Sequence, residues 1–275
     1  ADNLREFVIE SAAESDDGLT ERYLEEGALT DAEIAQGLKI GMLNRTLFPI
    51  FSGAVNKGIG VDLLLDFLVA FGPCPADLPL PVAHKEGSDE DVAIVPTDEG
   101  PLAAVVFKTI SESVGDLSFV RVFSGALKSG EDVFNTSRRA NERIGQIYSM
   151  NGGQREDMPA IGAGDIGALI KLKDTHTGNT LCGKSVHLEV PPVEFPHSLI
   201  RVAVETKSRG DEDKIGTGLQ HIHEEDPSFV SKFDPELHQI IAEGQGELHL
   251  TVVFAKLKKK YGVDVELVEP RIPYR

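Results

Sequence analysis

The hydrophobic pattern of the chain changes twice, and its first part predicts helices. Apolar residues at positions 61, 64, 65, 68 and 71 recur at helical spacing. Thr30 followed by Glu33 has the spacing of a capping box, which begins a helix. The apolar run 47–51, which ends before a Ser-Gly pair, predicts a short strand. The predicted helices cover residues 17–24, 31–42 and 61–71.

The middle part predicts strands joined by turns. Segments rich in Val, Ile, Phe and Tyr alternate with Ser-Gly and Asn-Gly turns, and no long helical pattern interrupts them. Short strands at this spacing are typical of a small β-barrel, which we place at residues 100–192. Before it, four prolines, a glycine and a run of acids predict a linker at residues 73–99. The predicted strands are residues 103–108, 117–124, 132–135, 142–150 and 166–172.

The last part, residues 193–275, predicts the order βαββαβ, which is the ferredoxin-like arrangement. Three lysines end its second helix, where cations complement the helix dipole. The expected fold is therefore multi-domain: an α/β segment, an all-β barrel and an α+β domain. The predicted strands are residues 200–204, 229–233, 239–242 and 263–268, and the helices are residues 211–225 and 247–261.

The net charge of −18 is unevenly distributed. Residues 1–95 carry 6 basic and 18 acidic residues, whereas residues 96–190 carry 10 and 12. The middle part is therefore close to neutral, and its local basic clusters could face RNA. Cys74 and Cys182 lie far apart, as expected of a reduced cytoplasmic protein. No signal peptide and no membrane span are expected.

Residues 178–185 read GNTLCGKS and match the phosphate-loop pattern letter for letter. A phosphate loop needs a helix directly after it, because the amides at the helix start bind the phosphates. The next residues alternate like a strand and then reach two prolines, so we interpret the match as a barrel segment. A self-contained phosphate-loop enzyme stays as a distant alternative. Residues 213–216 fit D-x-x-G inside a predicted helix, and Asn56-Lys57 lacks the Asp of N-K-x-D.

Other candidate sites are weaker. His221 and His223 precede three acids, but residues two apart on a helix point to different faces, so no metal site is expected. The glycines at 244 and 246 predict a tight turn rather than a dinucleotide fingerprint. A basic cluster in the barrel is the candidate for phosphate contacts with RNA, because guanidinium groups bind phosphate oxygens. The cluster consists of Lys128, Arg138, Arg139 and Arg143.

Several stretches, in one order along the chain, resemble bacterial elongation factor G. They cover the tail of its GTPase domain, its last guanine-pocket motif, and its second and third domains. The stretches are SAAESDD (11–17), ERYLEEG (21–27), FPIFSGAVNKG (48–58), RVFSGALKSG (121–130), AGDI (163–166), LKDT (172–175), TGNTLC (177–182), EDPSF (225–229) and GQGELHL (244–250).

The resemblance implies that residues 1–72 are the C-terminal part of a GTPase domain. It also implies that the family's phosphate loop, switch regions and N-K-x-D motif lie before this sequence. No catalytic residue, metal or cofactor is therefore expected in these 275 residues, whereas the full-length parent would bind GTP and Mg²⁺. Gly53, Ala54 and Val55 would be a remnant of the guanine pocket, in which Ala54 occupies the position where the family usually has serine.

The resemblance also implies a ribosome-binding factor for translocation in protein synthesis. Its partners would be small-subunit ribosomal RNA and ribosomal protein, and we expect a cytoplasmic monomer. Thr251 occupies a position where the family usually has glutamate, and residues 233–238 differ from the usual loop of the family. These differences suggest a diverged paralogue. Ribosomal protection proteins and class II release-factor GTPases share the architecture and stay as alternatives. A protein-binding adaptor is a third alternative, which the acidity of the chain favours.

Overall fold

The computed structural model describes residues 2–79, 82–88, 90–112, 115–206, 210 and 212–271. The chain divides into two compact units, Ala1–Pro79 and Leu80–Arg275. The second unit holds an all-β part and an α+β part.

The first unit is helical in its described residues. Asp16 begins α2 by accepting hydrogen bonds from the backbone of Gly18 and Leu19, and Thr30 begins α3 with the predicted capping box. Helix α1, which the sequence analysis missed, lies so close to α3 that a Cβ on Gly37 would be 2.2 Å from the Ala12 carbonyl oxygen. The helices are α1 Asp2–Ala13, α2 Asp17–Glu26, α3 Asp31–Leu43 and α4 Val61–Phe71.

The prediction of a strand at residues 47–51 was wrong. These residues have no regular structure, and Phe48 and Ile50 are exposed. A strand needs a neighbouring strand to accept its backbone hydrogen bonds. Within the described part of the first unit, the β-bridge between Ala54 and Ile59 is the only strand-like pairing, so the apolar run has no such neighbour.

The second unit begins with short strands that lie inside the predicted linker. Strands β1 Ala83–Lys85 and β2 Asp91–Val92 pair with each other, and β1 also pairs with β13 Leu188–Glu189. Ala83 and Ile94 are buried in a small core with residues of the barrel. The linker prediction for residues 73–99 was therefore wrong for this part, because its few apolar residues find a distant partner. Residues 80, 81 and 89 lie outside the described part.

The barrel domain is an antiparallel sheet with the strand order β7-β6-β12-β3-β4-β11-β8-β9, beside a small β5-β10 pair. Val133 of β6 and Ile147 of β8 belong to one core although they stand near opposite ends of the sheet. The sheet must therefore curl around that core. The strands are β3 Ala103–Glu112, β4 Gly115–Ser124, β5 Leu127–Lys128, β6 Asp132–Asn135, β7 Ala140–Arg143, β8 Ile147–Asn151, β9 Gln154–Met158, β10 Ala160–Ile161, β11 Ile166–Ile170 and β12 Thr180–Cys182.

The predicted strand 142–150 is divided in two. Ile144, between β7 and β8, donates its backbone N–H to Glu131 and accepts from Gly130, so the chain bends there toward residues 129–131. This division produces a separate hairpin, β6–β7, at the edge of the sheet.

The third part has the predicted order βαββαβ. Its four strands are antiparallel in the order β15-β16-β14-β17, which is the ferredoxin-like arrangement. Both helices pack on one face, where Leu219 of α5 and Leu257 of α6 are buried in a shared core. The elements are β14 Ile200–Thr206, α5 Glu212–Glu225, β15 Val230–Asp234, β16 Gln239–Gly244, α6 Glu247–Tyr261 and β17 Val265–Val268. Residues 211 and 272–275, which the predicted boundaries include, lie outside the described part.

Candidate nucleic-acid interface

The hairpin β6–β7 carries the three predicted arginines. Arg138 and Arg139 lie in its turn, where Arg139 has a left-handed backbone with φ 54° and the Arg138 N–H bonds the Asn135 side chain. Arg143 lies at the open end of the hairpin, opposite Asp132. The four-residue strand β7 separates the two ends by about 10 Å. The structure thus places the arginines along one edge hairpin rather than in a single cluster.

Lys128, the fourth predicted residue, lies on β5, one residue before the segment that meets the open end of the hairpin. The Ser129 hydroxyl donates to the carbonyl oxygen of Gly145, two residues beyond Arg143. Lys128 is exposed. Lys128 therefore lies nearer to the open end of the hairpin than to its turn.

Each of the three arginines forms an ion pair with an acid of the same unit. The distances are 2.9 Å from Arg138 to Asp174, 3.3 Å from Arg139 to Glu86 and 3.0 Å from Arg143 to Asp132. The arginine side chains are nevertheless 49%, 77% and 69% exposed. Exposed ion pairs contribute little to stability, so phosphate groups could replace these carboxylates at little cost.

Two of the three acids that pair with the hairpin arginines have a lowered pKa. Hydrogen bonds from Lys184 and Arg143 lower the pKa of Asp132, and a hydrogen bond from Arg138 lowers the pKa of Asp174. Both carboxylates therefore compete with phosphate for the arginines at neutral pH. Any phosphate contact made here replaces an existing pair rather than neutralising a free cation.

Two buried polar residues that the sequence analysis missed fix the shape of this region. Asn135 is fully buried and donates through its Nδ2 atom to the Asp174 carbonyl oxygen and the Thr175 hydroxyl, at 3.1 and 3.0 Å. Glu142, at 2% exposure, accepts from the Lys173 and Asp174 N–H groups and from the Thr175 hydroxyl. Together they hold loop 173–179 against the hairpin.

Loop 173–179 also connects the barrel to the third part. His176 Nδ1 lies 2.7 Å from the carboxylate of Glu224 in α5, and the Thr177 hydroxyl donates to the Glu224 carbonyl oxygen. A cleft of about 330 Å³ opens at this junction, and Arg138 is one of its lining residues. Hydrogen bonds of this one loop therefore connect the turn of the hairpin to the end of α5.

The predicted remnant of the guanine pocket lies in the first unit and forms a small closed loop. Ala54 and Ile59 exchange both of their backbone hydrogen bonds, at 3.0 and 3.2 Å, around a 3₁₀ turn at Val55–Lys57. A Cβ on Gly53 would lie 2.8 Å from the Ile59 carbonyl oxygen, so this position needs glycine. Ala54 provides no side-chain cap, and Val55 is 78% exposed.

The segment that matches a phosphate loop lacks the geometry of one. Strand β12 at Thr180–Cys182 is followed by a turn and then by strand β13, and Lys184 pairs with Asp132 at 3.1 Å. His221 and His223 point to different partners, the Tyr261 hydroxyl and the Phe229 carbonyl oxygen. Within the described residues, no group of three metal-ligating side chains comes together.

Comparisons with known proteins fit this architecture. Residues 115–182 match the family model of elongation factor Tu domain 2, and residues 195–269 match that of elongation factor G, domain III. One solved structure similar to the chain is that of ttk003000868 from Thermus thermophilus. It is 27% identical, with a TM-score of 0.76 over 99% of this chain. The present chain spans 39% of the length of that protein.

The two matched domains are those of translation elongation factors, and they define the class of protein. Within this class the chain is elongation-factor-G-like, because its α+β part matches the third domain of that factor. Separately, none of the helices in the described ranges is long and apolar enough to cross a membrane.

Proposed function

We propose that the chain is part of an elongation-factor-G-like GTPase that acts on the ribosome during protein synthesis, and that the hairpin β6–β7 contacts ribosomal RNA. The order of the two matched domains supports the first statement. The second is carried by one observation: three exposed arginines stand on an edge hairpin that Asn135 and Glu142 hold in place. We also propose that the parent protein contacts ribosomal protein and lies in the cytoplasm.

The acidity of the chain does not prevent this contact. Most of the excess negative charge lies in residues 1–95, and the barrel region is nearly neutral. At physiological salt the Debye length is about 8 Å, so repulsion from distant acids is largely screened. On binding, each arginine would exchange its carboxylate partner for a phosphate. Bidentate hydrogen bonds between guanidinium and phosphate are stronger than the exposed ion pairs that they would replace. We therefore expect binding that is weak and strongly dependent on salt.

Binding of small ribosomal subunits by the chain tests the role of the hairpin. Replacing Arg138, Arg139 and Arg143 together with Ala should weaken cosedimentation and flatten the dependence of log K on log salt. The slope should change by about 0.7–0.9 for each phosphate that the variant no longer binds. A matched control removes three cations from the first unit: Arg5→Ala, Arg45→Asn and Lys57→Ala. Asn is chosen because Arg45 has a left-handed backbone with φ 60°.

The two variants lose the same charge, so a nonspecific electrostatic effect would alter both equally. The proposal requires a larger loss for the hairpin variant. If the hairpin variant binds subunits with unchanged affinity and salt slope, its arginines are a solvated face and the RNA contact is refuted.

We also propose that the first unit is the C-terminal part of the GTPase domain. We further propose that these 275 residues hydrolyse no GTP. The sequence has no N-K-x-D motif, and its phosphate-loop match is followed by a strand. The full-length parent would supply the GTP and Mg²⁺ sites. Titration calorimetry with GTP should give no heat of binding at micromolar concentrations. Tight binding that Lys184→Ala abolishes would instead support the phosphate-loop enzyme.

A further inference from the structure

Two β-bulges interrupt the pairing of β3 with β4. Val106 pairs with Val120, but Lys108 pairs with Phe119, which leaves Phe107 as the extra residue of β3. Ala103 pairs with Ser124 and Ala104 with Val122, which leaves Phe123 as the extra residue of β4. A bulge re-aims a side chain and often lies next to a functional site. Here both extra residues are phenylalanines.

Both phenylalanines line one cleft of about 350 Å³ on the outside of the barrel. Its apolar surface extends from buried valines to partly exposed residues at the rim, where Phe107 is 38% and Ile166 is 52% exposed. The remaining lining residues are Val105, Arg121, Val190, Pro191 and Val193. An apolar concavity with aromatic walls and one charged group has the composition of a binding site.

Arg121 is the charged group of this cleft. Its guanidinium carbon lies 5.0 Å from the centre of the Phe123 ring. The four other arginines of the barrel each form an ion pair, with Asp174, Glu86, Asp132 and Glu112. Arg121 has no carboxylate partner among the residues that the structure describes. Its guanidinium therefore stands beside the apolar walls of the cleft and is available to an incoming anion.

We propose that this cleft binds a protein segment that carries an aromatic or large aliphatic side chain next to a carboxylate. The apolar side chain would lie between Phe107 and Phe123, and the carboxylate would pair with Arg121. Charge complementarity favours this occupant, because the cleft offers one cation and a peptide can offer one anion at the same place. Single-stranded nucleic acid fits less well, since its row of phosphates needs a row of cations.

The probe is the peptide acetyl-Ser-Glu-Phe-Glu-Ser-amide, added to the isotope-labelled 275-residue chain and followed by amide NMR. Shifts should concentrate at residues 105–107, 121–123, 166, 190 and 193. Arg121→Gln and Phe107→Ala should each weaken binding about tenfold, since each removes one of the two matched interactions. Peptides with Gln for Glu, or with Ala for Phe, should weaken by similar factors.

Arg155→Gln is the matched control, because Arg155 also lies over an aromatic ring, Tyr148 at 5.8 Å, but outside the cleft. It should leave peptide binding unchanged. The proposal is overturned if the peptide shifts no cleft residue at millimolar concentration. It is equally overturned if hexauridylate binds the cleft more tightly than the peptide, or if the same signals move on raising the protein concentration alone.

Discussion

At the scale of single residues, the polar groups that shape the proposed interface are buried. Glu142 faces the interior of the barrel between two exposed neighbours, Asn141 and Arg143. Alternation along a strand predicts this inward direction, but a glutamate at such a position is normally assumed to face solvent. Its burial is possible because the backbone of loop 173–179 supplies its hydrogen bonds. The arginines are visible in the sequence, but only the fold reveals that Glu142 positions the loop that carries Asp174, the partner of Arg138.

Replacing Glu142 with Ala should therefore destabilise the barrel by about 3 kcal/mol, because two N–H groups and a hydroxyl lose their acceptor in a buried place. Glu131→Ala is the control, since Glu131 is exposed and should change the free energy of unfolding by less than about 0.5 kcal/mol. Urea denaturation of both variants gives the comparison. Equal stabilities would mean that water replaces the glutamate without cost.

The ion pairs at the hairpin show why single-residue signals are incomplete. Three arginines within six positions predicted a basic patch, and the structure places an acid against each of them. Two of these acids, Glu86 and Asp174, are far from the arginines in sequence. No pattern in the sequence alone could supply that pairing.

At the scale of elements, helix starts were predictable because their signals are local. The capping box of α3 is formed as predicted, with the Thr30 hydroxyl bonding the Glu33 N–H and Glu33 bonding back. The pKa of Glu33 is lowered from 4.5 to about 2. The largest cause is the hydrogen bond from the Thr30 backbone, followed by those from the Thr30 hydroxyl and the Arg22 guanidinium. The interaction therefore stabilises α3 above about pH 4.5 and is lost as the pH falls through 2.

Removing the Thr30 hydroxyl tests this capping box. In Thr30→Val the pKa of Glu33 should rise toward its usual value, because one donor to the carboxylate is lost. The stabilisation of α3 by Glu33 should then be lost at a higher pH on acidification. Carbon NMR of the side-chain carboxyl measures the pKa, and Thr46→Val, which alters a threonine bonded to Gly41 instead, should leave it unchanged. An unchanged pKa in Thr30→Val would contradict the assigned cause.

Short strands were less predictable because distant residues decide them. Strands β2 and β13 have two residues each, and they exist because β1 lies between them. Prolines and acids around them predicted a linker, whereas Ala83 and Ile94 share a core with residues as distant in sequence as Cys182 and Leu188. The apolar run 47–51 is the opposite case, where a strand pattern has no neighbour within the described residues of its unit.

At the scale of the whole molecule, the two units differ in how well they cover their apolar residues. The second unit has two large cores, one for the barrel and one for the α+β part. In the first unit, α4 is rich in Leu, Val and Phe yet has no buried residue. Asp62 and Asp66 mark one polar side of α4, and the apolar remainder of such a helix normally packs against other parts of a protein. This contrast supports the proposal that the first unit belongs to a larger domain.

Our last prediction concerns this exposed face of α4, where Leu65, Leu68 and Val69 are 57%, 54% and 89% exposed. The 275-residue chain should bind the apolar dye ANS, which reports accessible hydrophobic surface. Changing these three residues to Gln should reduce the dye fluorescence by about half or more, because they form one contiguous surface on the helix.

The control replaces three exposed apolar residues in separate segments of the second unit, namely Val186, Leu199 and Leu267. Isolated apolar side chains are normal on protein surfaces and bind little dye, so this variant should keep most of the fluorescence. An equal decrease in both variants would contradict the prediction. The α4 face would then be ordinary surface, and the proposal that the first unit is an incompletely covered part of a GTPase domain would lose its structural support.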